Sequence, residues 1–254
     1  MEIKYTVQGL LIYQTVILYG LALFSGLAKF KKCRLFVYAL AFATAIAALV
    51  YRGLSVGHFP LQNLFEVFLF LGVLAFPISL LSKKFLQIDD YNSDILTAII
   101  ILFPAGFVFS AQPQHLPPAL QSVFFVPHVL AYMLAYIILT KAAICAAKQT
   151  VSVIDYELPA YKLACASFPL LTIGLILGSI WAKLAWGDYW GWDPKELWSL
   201  ATWLVYVGYF HYRARHLGNK KANSVWLIVG FIFIIITLLW VNLSRIFSGM
   251  HNYA

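Results

Sequence analysis

Charge is what this chain lacks most. Charged residues fill 11% of its 254 positions, while 62% are hydrophobic and mean hydropathy is +0.82. Soluble domains carry about a quarter charged residues, so a single water-facing core could not hide this much apolar side chain. Disorder needs the opposite composition. Cysteine is nearly as scarce, with Cys33, Cys145 and Cys165 and no C-x-x-C spacing, which leaves no basis for a disulfide framework or a dithiol redox centre. Also missing is the alternation of polar and apolar residues that barrel strands need. A stretch long enough for a soluble metal or redox module is not found either.

What the chain does have is a series of apolar runs. Breaks at charge, proline and glycine divide it into eight, at about 7–28, 34–51, 62–82, 95–110, 124–147, 160–181, 195–212 and 223–244. At ~20 residues per crossing, they predict an all-α polytopic membrane helix bundle of about eight transmembrane helices, forming a single membrane domain over 1–254. The fourth run is short and holds Pro104 and Gly106, so it is expected to tilt, kink or turn back. The first run is long enough to span and has no convincing cleavage site of small residues, so no signal peptide is expected.

The cations take sides. The odd-numbered connections hold Lys29, Lys31, Lys32, Arg34, Lys83, Lys84, Lys141, Lys148, Lys162, Arg213, Arg215, Lys220 and Lys221, thirteen of the 18 Lys and Arg. Lys4, Arg52, Lys183, Lys195 and Arg245 fall on the other side. Cytoplasmic loops collect Lys and Arg, which predicts odd loops inside and both termini outside. The net charge of +8 is thereby explained by topology, and no nucleic-acid partner is expected, because no basic stripe is interleaved with aromatics.

Six of the eight tryptophans, Trp181, Trp186, Trp190, Trp192, Trp198 and Trp203, crowd around the outer connection between the sixth and seventh runs. Two readings compete. One is an interfacial aromatic belt. The other is a shelf for a large planar ligand, since Trp186-Gly187-Asp188-Tyr189-Trp190-Gly191-Trp192-Asp193-Pro194-Lys195-Glu196 alternates flat rings with glycines and carboxylates. His128 and His251 fall on the same side, where two imidazoles suit axial ligation of haem iron or serve as ordinary helix-end residues. His211 lies roughly 24 Å down the helix from Lys195, so it marks either a second site or an inner helix end. His216 reads as solvated, and His115 has no partner to be named. Glu66 shares a helical face with Asn63; Arg52 and Arg245 are its candidate partners, in a structural ion pair or a functional one. Asp193, just before Pro194, has the signature of a helix N-cap. The cysteines read as inert packing near the inner side.

The run from Trp186 to Glu196, continued through Trp198 and Trp203 to His211, resembles the tryptophan-rich (WWD) signature of the haem-handling membrane proteins. Trp192-Asp193-Pro194-Lys195-Glu196, residues 57–66 and the terminal Gly249-Met250-His251-Asn252-Tyr253 resemble the CcsA (ResC) type of system II cytochrome c maturation. Asn252 stands where serine is more usual. The system I relative, CcmC, differs in its continuation after the shared motif and in having fewer spans. The resemblance implies a tryptophan-rich outer haem-binding loop at 182–194. It also implies haem b held outside by His128 and His251, with Trp186, Tyr189, Trp190, Trp192 and Asp193 about the ring. His211 would serve a haem within the membrane, whose other ligand comes from a CcsB (ResB) subunit. The implied role is haem translocation and presentation, as a subunit of a cytochrome c synthase joining haem to apocytochrome c C-x-x-C-H segments, with thiol-reducing proteins as further partners. The implied setting is the bacterial cytoplasmic membrane, or the thylakoid for a plastid-encoded chain. The alternatives are CcmC-like delivery of haem to an outer-face chaperone, and a permease or scaffold without haem.

Overall fold

The computed structural model describes residues 4–243, so His251 and Arg245 lie outside the described residues. Helices form where the apolar runs predict them. The chain divides into two compact units, Met1–Pro117 and Pro118–Ala254.

In the first unit α1 (Val7–Leu27) packs on α2 (Lys31–Val56) and on α4 (Tyr91–Phe107). Between α2 and α4 lies α3 (Leu64–Leu81), which runs on through a π turn, Ser82–Leu86. Local chemistry sets the ends. The Thr6 side chain accepts from Gly9 N at 3.1 Å, and Asn63 accepts from Glu66 N at 3.1 Å. Gly57 closes α2 at φ 74°, in the left-handed region that glycine adopts without a Cβ penalty. Ala41, Ala45 and Ala48 are fully buried along α2, a small-residue stripe of the kind that draws helices together where lipid supplies no hydrophobic drive. Polar pins add to it: Tyr19 donates to Gly72 O at 3.0 Å, and Thr15 to Thr44 at 2.9 Å. As expected, α4 is short, with Pro104 in its last turn.

The second unit opens on a 3-10 turn, Pro118–Gln121, followed by α5 (Phe125–Val151), α6 (Glu157–Trp186), α7 (Pro194–Arg215) and α8 (Lys220–Ile235). Beyond α8 a π turn, Ile236–Trp240, leads into Val241–Leu243. α5 packs on α6 and α8, while α7 packs on α8 and α6. At one end Arg213 grips Glu157 (Nε–Oε1 2.6 Å, second nitrogen to Oε2 3.1 Å), and Asn223 reaches the same carboxylate. This joins the start of α6 to the end of α7 and the start of α8. In the nearby loop the Lys220 ammonium, 2.6 Å away, holds the Asp155 carboxyl below its usual range.

Six helices are long and apolar enough to cross a membrane: α1, α2, α3 with its π turn, α5, α6, and α8 through Leu243. α4 is apolar but shorter. α7 has the length, but its tyrosines, histidine and charged ends lower its hydropathy. The fold is thus an all-helical, multi-pass membrane bundle. Within 182–194, α6 continues to Trp186 and α7 begins at Pro194, leaving 187–193 non-helical. Nothing in 182–186 breaks a helix; Gly187, left-handed at φ 94°, does.

Candidate functional site

His128 occupies the first turns of α5, against α6. Its Nδ1 lies 2.8 Å from Gly174 O. A carbonyl only accepts, so Nδ1 carries the proton and the lone pair falls on Nε2, the arrangement that orients a metal-ligating imidazole. The ring stacks on Trp181 at 5.7 Å and 21°, and meets Tyr132 edge-on at 5.1 Å.

Two glycines one turn apart make the groove. A Cβ on Gly178 would stand 2.5 Å from His128 Cε1, and one on Gly174 would stand 2.9 Å from the Tyr132 ring. Real Cβ atoms do not approach that closely, so these positions are glycine because an imidazole and a phenol lie across them. Gly174-x-x-x-Gly178 is a small-residue spacing of the kind that brings membrane helices close. It is the sequence signal that could have placed these two residues in the site.

Trp181 is 1% exposed, donates from its indole nitrogen to Ala119 O at 2.8 Å, and meets Trp186 edge-on at 4.7 Å. One continuous cluster therefore runs from Tyr132 through His128 and Trp181 to Trp186. Trp181 is its centre, although the resemblance assigned the ring-cradling role to later tryptophans.

The loop 187–193 holds a second aromatic pair, Trp190 and Trp192, 6.1 Å apart and nearly perpendicular. Trp192 is 67% exposed and left-handed at φ 58°, which costs a bulky residue about 1–2 kcal/mol. A capping box holds it there. The Asp193 carboxylate accepts from Lys195 N at 2.9 Å, while Glu196 Oε2 accepts from Asp193 N at 3.1 Å and from Gly191 N at 2.8 Å. Asp193, buried and bonded in this way, shapes the loop as an N-cap does. Tyr189 is exposed, with the Lys183 ammonium 5.5 Å above its ring.

His211 is not brought to this cluster. It lies near the far end of α7, exposed, with Nδ1 2.9 Å from Val207 O, so its lone pair also falls on Nε2. His216 is exposed and stacked on Tyr212. In the first unit Glu66 takes Arg52 as its partner at 2.9 Å, both buried. Its other oxygen accepts from Gln62 N at 2.7 Å, and Arg52 also donates to the carbonyls of Ala111 and Gln112. Of the two candidate partners for Glu66, the pair formed is with Arg52. His58 has Nδ1 on Phe59 O and a buried Nε2 with no hydrogen-bond partner among the described residues.

Among the described residues no three His, Cys, Asp or Glu side chains gather as a ligand set for a bare ion. His128 stands beside the flat rings of Trp181 and Tyr132.

The fold and this cluster define a class: a multi-pass helical membrane protein with an aromatic ledge between two long helices and an oriented imidazole beside it. Residues 61–248 match the family model described as Cytochrome C assembly protein, and the chain belongs to that family. It is similar to the cytochrome c biogenesis protein CcsA of Chlamydomonas reinhardtii, at 31% identity over 82% of this chain and 64% of that protein. The CcsA proteins of Guillardia theta (32%; 84% of this chain, 83% of that one) and of Prochlorococcus marinus strain NATL2A (30%; 90% and 87%) are similar over most of both lengths.

Proposed function

We propose that this chain serves cytochrome c biogenesis by holding haem at the non-cytoplasmic face and presenting it to apocytochrome c. The observation that carries the reading is His128: an imidazole whose tautomer is fixed by Gly174 O and whose ring is clamped against Trp181. His128 would ligate haem b from one side and His251 from the other, with Trp186, Tyr189, Trp190 and Trp192 against the ring. Bound haem supplies two vinyl groups. Each thioether forms when a cysteine S–H of the client adds across a vinyl C=C, so nothing leaves and no oxidant is consumed. The chain's own residues therefore need only bind, orient and exclude water. Asp193 and Glu196 set the loop's shape. The Lys and Arg distribution puts the odd connections in the cytoplasm, His211 near that side, and the ledge opposite. His211, exposed on its helix with the lone pair on Nε2, suits a haem shared with a second membrane subunit of the CcsB kind.

The test is maturation in cells whose own cytochrome c assembly is deleted, with this chain, a CcsB-type subunit and a C-x-x-C-H client supplied together. Covalent haem on the client is read after denaturation. His128→Ala should lower it at least tenfold, and imidazole in the medium should restore part of it. Full maturation by the variant without imidazole contradicts the reading.

A further inference from the structure

We propose that Lys183 is the cation that receives a haem propionate at the outer ledge. This rests on the reading just given and deepens it by naming the counter-charge. Haem brings two ionised carboxylates to a site walled by aromatic rings, and burying such charge is costly unless a cation meets it. Five cations belong to that side by sequence, and the structure separates them. Lys4 is buried, with its ammonium bonded to the carbonyls of Ala105 (2.8 Å) and Gly106 (3.0 Å). Arg52 is buried on Glu66 and on two carbonyls. Arg245 lies outside the described residues. Lys195 is in the first turn of α7, half-buried beside Asp193.

Lys183 differs from these. It sits in the last turn of α6, two residues past Trp181 and three before Trp186, and it is exposed. Its side chain is not extended into solvent. The ammonium is turned over the loop, bonded to Gly187 O and 5.5 Å above the Tyr189 ring. It is therefore held over Tyr189, one of the rings assigned to the porphyrin, in the loop that follows Trp186. A neutral carbonyl uses one of its three N–H donors, and a carboxylate can take another without moving the stem. Asp188, next along the loop, is exposed, so water and salt screen its charge.

The experiment is a titration of the purified, haem-stripped chain in detergent with ferric protoporphyrin IX and, separately, with its dimethyl ester, which keeps the iron and the ring but not the charges. The wild type should bind the diacid at least tenfold more tightly than the ester. Lys183→Gln should shrink that preference by about tenfold, as expected for one hydrogen bond to a charged group, with ester affinity unchanged; Lys183→Arg should keep it. Equal binding of both pigments by the wild type overturns the proposal. So does a preference that survives in Lys183→Gln, or one abolished instead by Lys195→Gln. A wild type that gives no low-spin spectrum with either pigment overturns the haem reading itself, and is seen before any variant is compared.

Discussion

Gly178 and His128 carry the account at the scale of single residues. A methyl group at 178 would fall 2.5 Å from the imidazole, so the ring or the α5–α6 contact must move. Overpacking of this kind costs ~1–3 kcal/mol, offset by the ~1 kcal/mol by which alanine favours helix over glycine. Gly178→Ala should therefore leave helix content by circular dichroism unchanged while haem affinity in titration falls several-fold. Unaltered affinity would show that the imidazole does not need its present seat. The places of His128 and His211 near the ends of their helices were legible in the sequence. Their tautomers were not, because they depend on carbonyls, and that of Gly174 lies 46 residues away in the chain. Trp181 as the stacking partner was hidden for a different reason. Composition placed it in a crowd of six tryptophans, and only the facing of α5 and α6 distinguishes it from the others.

The informative boundary among the elements is the one between α6 and α7. Asp193, just before Pro194, announces the start of α7 in sequence, and the structure has that N-cap, completed to a capping box by Glu196. Removing the cap should loosen the loop more than the helix. Asp193→Ala is expected to cost ~1 kcal/mol, read as roughly fivefold faster hydrogen exchange of the amides around Gly191–Glu196; Asp193→Asn, which keeps an acceptor, should change it little. Unchanged exchange in the alanine variant would mean that the loop is held by its rings alone. The end of α6 was less legible, since aromatic residues do not stop a helix, and the left-handed backbone at Gly187 and Trp192 has a plain signal only at the glycine. The π turns at Ser82–Leu86 and Ile236–Trp240 had no signal, because the shift of face that a π turn introduces leaves no mark in runs that are apolar all round.

Across the whole molecule, composition decided the fold class, since a chain this poor in charge has to be a membrane bundle. Its division into two compact units was not readable. Spans that are apolar all round give no face to match to a neighbour, and α3, buried along nearly its whole length, has the same character in sequence as the largely exposed α1. The account's central claim is that an iron porphyrin is gripped by His128 and His251 beside the tryptophan ledge. Low-temperature electron paramagnetic resonance of the purified ferric protein, co-expressed with its CcsB-type subunit, tests it most directly. The prediction is a low-spin bis-imidazole signal of which the outer-ledge share turns high-spin in His128→Ala and in His251→Ala and returns when imidazole is added, while any share from a haem on His211 stays. A low-spin signal of full intensity in both single variants would contradict it.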